Sequence, residues 1–267
     1  MTPSTQAIRL DFGRLPLVEA ALRVSLAAPS KLTYATIYRL HQALSAFPEL
    51  REPQFFEAKP GFTESIQLGP GELPGAVFSG HPRGISVSLQ NQVLVVRWAR
   101  KPGASAPDYP RYGELRETLW KAIAELVRAA PDGIAPIAVV NMSYVNLLNV
   151  AHDSPVLSTY FAASAHVVAA LRAKQLRKLE ASWLESDDVD IRFNIEQVTV
   201  RVNDQDVQGY RLTTAAGKRL APAADAQAEL DVLHSRLQTF FLSLISEAAK
   251  REWELSGADS SGKPGQP

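Results

Sequence analysis

The chain has 267 residues, 46% of them hydrophobic and 21% charged, which is the usage of an ordinary globular protein and too apolar for a disordered one. Lys+Arg and Asp+Glu both number 28, so the formal charge is zero and only a local patch, not the field of the whole molecule, can attract nucleic acid or a membrane surface. Cysteine is absent, which excludes disulfides, thiolate catalysis, iron–sulfur clusters and Cys-ligated zinc.

Met1 to Asp11 lacks the cationic start and apolar run of a secretory signal, and no stretch approaches the roughly 18 apolar residues of a membrane span, so a cytoplasmic location without membrane contact is expected. After Arg14-Leu15-Pro16, the alternation of Leu22, Val24 and Leu26 predicts a half-buried strand over Leu17 to Leu26. Ile37, Leu40, Leu44 and Phe47 recur at helical steps and predict an amphipathic helix from Thr33 to Phe47, stopped by Pro48. Glu49 to Arg83 is crowded with Pro and Gly between Pro60 and Pro74, as in a long loop or an excursion around a short strand near Phe55 and Phe56. Gly84 to Gln90 and Gln92 to Ala99 alternate around Asn91 and form the clearest hairpin. A second Pro/Gly-rich loop, Lys101 to Pro110, leads into a helix over Tyr112 to Ala130, with Leu115, Leu119, Ile123 and Val127 on every fourth residue. Beyond the Asp132-Gly133 turn, Ile137 to Leu148 is apolar on both faces and reads as a strand buried on both sides.

Val156 to Ala173 is apolar without a clean period. From Leu179 onward, Trp183-Leu184, Val189 to Ile195, Val198 to Val202 and Tyr210 to Leu212 read as strands. The apolar phase moves from odd positions (Ile191, Phe193, Ile195) to even ones (Val198, Val200, Val202), which predicts a bulge or register change near Gln197. Asp225 to Glu254 predicts one long helix, capped by Asp225, carrying Leu230, Leu233, Leu237, Phe240, Leu244 and Ala248, with Lys250 and Arg251 at its negative end. Ser256 to Pro267 has no large apolar side chain and is expected to be a disordered tail. The predicted class is α+β in two sheet-and-helix halves. Residues 1–152 take a split β-α-β, ferredoxin-like order, and 153–255 form an antiparallel sheet covered by the long terminal helix.

Chemistry-bearing patterns are sparse. Gly69-Pro70-Gly71 lacks the Lys and the helix of a phosphate loop, and the histidines (His41, His81, His152, His166, His234) lack metal-ligand spacing, so neither a metal nor a cofactor is expected. His152-Asp153-Ser154 has the residue types of a hydrolytic triad, but adjacent residues point apart, and a polar loop is the simpler reading. Glu19, inside an apolar strand, needs solvent or a cation such as Arg23 or a hairpin arginine; its readings are an ion pair or a general acid. Arg97, Trp98, Arg100, Tyr109, Arg111 and Tyr112 interleave cations with rings, as a contact surface for a protein or a nucleic acid would, or as core rings with a solvated rim. Arg172, Lys174, Arg177 and Lys178 form a second cationic run. Asn141 and Asn146 flank Tyr144 on a strand expected to be buried, where their amides need partners or line a ligand site.

Pro16-Leu17-Val18-Glu19-Ala20 running into Leu22-Arg23-Val24, then Val96-Arg97-Trp98 with Tyr109-Pro110-Arg111-Tyr112, Ser143-Tyr144-Val145-Asn146 and the closing Arg251-Glu252-Trp253 give the chain its most specific pattern. In these it resembles a sporadically distributed family of uncharacterised prokaryotic proteins of about 260 residues. The resemblance implies a bacterial or archaeal source and patchy inheritance, as for genes carried with mobile elements or defence islands, and supplies no catalytic residue; the basic 156–178 segment departs from it. The residues that polarise, attack or shuttle protons occur only singly, so the expected function is a non-catalytic protein-interaction or regulatory module of a small operon. The alternatives are a nucleic-acid-binding accessory protein using the two cationic patches, and an enzyme built on Glu19.

Overall fold

The computed structural model describes residues 11–12, 16–52, 73–90, 92–101, 109–130, 133–149, 160–162, 177–185, 187–202, 205–253 and 255–256. In chain order the elements are β1 (Asp11–Phe12), β2 (Leu17–Leu26), α1 (Tyr34–Ala43), β3 (Glu49–Arg51), β4 (Gly75–Ser79), β5 (Ile85–Gln90), β6 (Val93–Ala99) and α2 (Arg111–Ala129). They continue as β7 (Ile137–Asn149), β8 (Lys178–Leu184), β9 (Val189–Val202), β10 (Gln205–Arg219), α3 (Ala226–Leu244), α4 (Glu247–Glu252) and β11 (Leu255–Ser256). The fold is α+β, as its pattern predicts.

Nine strands form one antiparallel sheet in the order β3-β4-β5-β6-β2-β7-β10-β9-β8, and β1 pairs separately with β11. Both β6 and β7 pair with β2, so β6–α2–β7 is a split β-α-β crossover with β2 between its strands. The two expected halves meet inside this sheet: β10 lies against β7 from Gly209 opposite Asn149 to Arg219 opposite Val139, so β8 to β10 extend the first sheet instead of building a second. Alternation puts Leu22, Val24, Val96, Trp98, Val140, Met142 and Ala216 on one face, and α1, α2 and α3 bury Leu40, Leu119, Leu233 and Leu237 against them. The other face carries Glu19, Arg23, Arg97, Ser143 and Arg192, with small groups at Ala21, Ala215 and Gly217.

Several boundaries differ from the sequence pattern. Helix α1 is capped by the Thr33 hydroxyl, which accepts from Thr36 N at 3.2 Å, but it ends at Ala43; a turn brings the buried Leu44 and Phe47 onto the core, because the residue before Pro48 is steered out of helical geometry. The buried stripe of α2 is Leu115, Leu119, Ala122, Leu126 and Ala129, and Val127 is 47% exposed, since a strict four-residue step drifts around a 3.6-residue helix. β7 is buried on one face only, at Val140, Met142, Asn146 and Leu148; Val139, Val145 and Leu147 lie half-buried on the face without helices. The β9–β10 ladder passes Gln197 with no register shift, so the change of apolar phase is a change of face and not a bulge.

The terminal helix is broken. Ile245 bridges Phe161, Ser246 N–H donates to Tyr160 O at 2.9 Å, and the Ser246 hydroxyl caps α4. Phe241 and Ala249 are buried where Phe240 and Ala248 are expected to be. Ser256 pairs with Asp11, and residues 257–267 lie outside the described residues, as do Asn91, His152 to Ser154 and the expected strand near Phe55 and Phe56. Gly84 is dictated by its backbone, with φ +74° and a Cβ there 2.7 Å from Ala99 O, while Gly217 leaves room for the Asn141 side chain, whose Oδ1 would sit 2.1 Å from a Cβ.

Candidate functional site

The ring-and-cation stretch does not make one surface. Arg97 projects from the uncovered face into an ion pair with Glu19, whereas Trp98, its neighbour in an alternating strand, is 1% exposed in the core and meets Tyr109 edge-on at 5.0 Å. Arg100 is half-buried and its backbone N–H donates to Val18 O; Arg111 is exposed at φ 64°, the first residue of α2. Tyr112 donates to Asp231. Trp98, Tyr109 and Tyr112 therefore belong to packing and not to a contact surface. Of the second cationic run, Arg172 and Lys174 lie outside the described residues, Arg177 is exposed, and Lys178 opens β8 in a 2.8 Å pair with Glu180. Asn141 is half-buried over Gly217, and Asn146 is buried.

A polar seam that sequence reading missed fills the space between α2 and α3. Arg116 binds Asp231 through Nε and Nη2 at 2.7 and 2.8 Å, and Tyr112 Oη donates to the same carboxylate at 2.6 Å. Tyr112 also stacks on His234, with ring centres 3.8 Å apart, while Tyr144 Oη lies 3.2 Å from His234 Nδ1. Burial pulls the His234 imidazole down to about 4, so it is neutral at pH 7 and its Nδ1 can accept from the Tyr144 hydroxyl. Burial also pushes Tyr109 up to about 12 and holds Tyr144 well above the ordinary phenol value, so both stay protonated. The His234 ring and the Tyr109 and Tyr144 phenols thus keep their neutral forms at pH 7, away from the range where a general acid or base works best. The seam can orient and lock, but it is not tuned to shuttle protons. Beside Tyr144, the buried Asn146 Oδ1 and Thr214 Oγ1 find no hydrogen-bond partner among the described residues. The sequence signal was faint: Tyr112/Arg116 and Asp231/His234 are spaced for one helix flank, just off the apolar stripes.

The two edges of the sheet are built differently. β3 is a blunt edge because it is only three residues long; its Glu49–Arg51 ion pair has a counterpart in Lys178–Glu180 at the other edge. β8 is seven residues long and pairs only with β9 among the described strands. Glu185 N–H donates to Val189 O and Arg177 O accepts from Gln197 N, so the odd residues of β8 bond β9, and the N–H and C=O groups of Lys178, Glu180, Ser182 and Leu184 point away from the sheet. Trp183, tilted on Phe240 at 5.3 Å, is 42% exposed and Leu184 is 74% exposed. Arg236 of α3 binds Asp187 and Glu185 just past β8 and holds the Asp187 carboxyl below its usual range, which fixes the end of the strand against the helix.

Among the described residues no group of three His, Asp or Glu side chains is placed to hold a metal ion, and no helix is long and apolar enough to cross a membrane. No family model matches the chain, and no curated protein matches it.

Proposed function

We propose that the chain is a non-catalytic protein-binding module that receives an extended strand at the β8 edge. The observation that carries this reading is the outward direction of the backbone groups of Lys178, Ser182 and Leu184, beside the exposed Trp183; folded proteins normally blunt or cover such an edge. The cations argue for a protein partner over nucleic acid, because Arg97, Arg192, Arg211 and Lys178 are each already neutralised by a carboxylate, Glu19, Asp190, Glu196 and Glu180 in turn. A phosphate backbone would have to displace those acids. Glu19, held by Arg97, acts as the structural half of an ion pair. A setting in a bacterial small operon concerned with defence or regulation, in the cytoplasm, is part of this proposal and rests on the family resemblance and the sequence alone.

The test is Ser182→Pro. It deletes an outward donor while leaving the bonds from odd positions to β9 in place, which is where an edge strand tolerates proline. Tagged wild-type and variant chains, both folded by circular dichroism, are purified from the native host. Loss of copurifying protein from the variant is expected, and an unchanged set of partners overturns the reading.

A further inference from the structure

We infer that the outward face of α1 is a second docking surface, which takes a protein segment carrying carboxylates beside apolar or aromatic side chains. Tyr34 and Tyr38 stand one helical turn apart on α1 and are 70% and 64% exposed, the two most exposed aromatic side chains among the described residues. Their i, i+4 spacing sets the rings side by side, with Cβ atoms about 6 Å apart, and neither ring is stacked or hydrogen-bonded on a described residue. Ala35, Arg39 and Gln42 complete the exposed face, and the exposed Lys31 precedes the Thr33 cap. Helix formation does not call for these tyrosines, since Ala, Glu, Lys or Gln at an exposed position holds a helix better. The polar run of α2 shows the ordinary solvated pattern: Glu117, Lys121, Glu125 and Arg128 alternate in sign, and Glu125 pairs with Arg128. By contrast α1 has no acid in its first turn, the sequence holds none between Glu19 and Glu49, and neither Lys31 nor Arg39 meets a carboxylate among the described residues.

The face is therefore positive and aromatic at once. Tyrosine and arginine anchor protein interfaces because a rigid ring buries area at small entropic cost and a guanidinium forks onto a carboxylate. An apolar side chain of the partner packs against the two rings beside the small Ala35, and its carboxylates reach Arg39 and Lys31. Nucleic acid fits less well, because two cations neutralise at most two phosphates, short of the roughly six or more that a phosphate-driven binder uses. A second copy of the same face would set cation against cation. The surface is separate from the β8 edge: β3, which follows α1, and β8 are the opposite ends of the strand order.

Fluorescence anisotropy of the full chain with a labelled random copolymer of glutamate and tyrosine, about 4:1, supplies the test, with a labelled oligothymidylate as the second probe. The copolymer is expected to bind and the oligothymidylate not to. The double change Tyr34→Ala and Tyr38→Ala should raise the dissociation constant for the copolymer at least about tenfold, and so should Arg39→Glu, whereas Ser182→Pro at the β8 edge should leave it unchanged. Both tyrosines and Arg39 are exposed, and alanine strengthens a helix, so these variants keep the fold, which circular dichroism checks. A copolymer that fails to bind at about 200 µM chain, or that binds the wild type and both α1 variants alike, overturns the inference. Oligothymidylate binding that the α1 changes abolish overturns it as well, by giving the face to nucleic acid. Self-association in sedimentation velocity that the same changes abolish does so by giving it to a second copy.

Discussion

The helix-covered face of the sheet has a dry half and a wet half. Under α1 and α2, the side chains between layers are Ile37, Leu40, Phe78, Val87, Val96, Trp98 and Leu119, all at most 4% exposed. Between α2 and α3, over β7 and β10, the same layer holds Tyr112, Arg116, Tyr144, Asn146, Thr214, Asp231 and His234. The dry half derives its stability from volume filled and surface removed from water, which are indifferent to orientation and nearly so to pH. The wet half derives it from matched donors and acceptors, which fix one placement of α3 and make that placement sensitive to protons.

The contrast is sharpest where volume is removed. Trp98→Ala empties a fully buried site and should cost about 3–5 kcal/mol, read as a lower midpoint of urea unfolding at any pH between 6 and 8. The wet half should respond to acid instead. In the unfolded chain the His234 imidazole takes a proton near 6.5, whereas in the folded protein it resists until about 4. The unfolded state thus binds more protons across that window, and stability falls as pH drops through it. The His234 share of the loss is about 2–3 kcal/mol at pH 4.5. His234→Gln should remove that share, so the variant and the wild type converge in stability as pH falls from 7 to 4.5; parallel unfolding curves would show that the ring is not buried neutral. Trp98→Ala should leave the pH profile parallel to that of the wild type.

The dry half is also the half that was legible in the sequence. Strand β2 and the β5–β6 hairpin follow from alternation, and α1 and α2 from helical recurrence, because the residues that set the period are the ones the core buries. β10 runs from Gln205 to Arg219, yet only Tyr210 to Leu212 stood out, since Thr214, Ala216 and Gly217 are small groups that carry little apolar signal although Thr214 and Ala216 are buried. The joining of the halves depends on β7 and β10, far apart in the chain, and no local pattern encodes that pairing. For the candidate edge, the sequence showed a strand around Trp183; that it ends the sheet, with its even residues facing outward, is a property of the ladder. The wet seam brings together residues from four elements, so no spacing announces it beyond the helix-flank pairs.

Within the wet half the exposed end should matter less than the buried ring. Asp231 is 44% exposed and Arg116 26%, so Asp231→Asn, which keeps one acceptor for Tyr112 but removes the charge and the paired grip on Arg116, should cost about 1 kcal/mol. Salt should shrink the difference between variant and wild type, since the interaction lost is partly screened. A loss above that of Trp98→Ala would mean that the carboxylate organises the whole α2–α3 interface.

The smallest expected effect has the opposite sign. Thr214 is fully buried opposite Tyr144, so its hydroxyl lost its hydration on folding, and its Oγ1 finds no replacement partner among the described residues. Thr214→Val keeps the shape and removes the stranded group, and β-branching keeps the strand preference. Stability should rise by up to about 1 kcal/mol, the reverse of what a polar-to-apolar change does at a satisfied site. The measured sign therefore separates two states of the seam. A gain identifies Thr214 as a polar group retained against stability, whereas a loss of similar size means that the hydroxyl holds a bridging water between itself, Asn146 Oδ1 and the Tyr144 side, and that the wet half is wet in the literal sense.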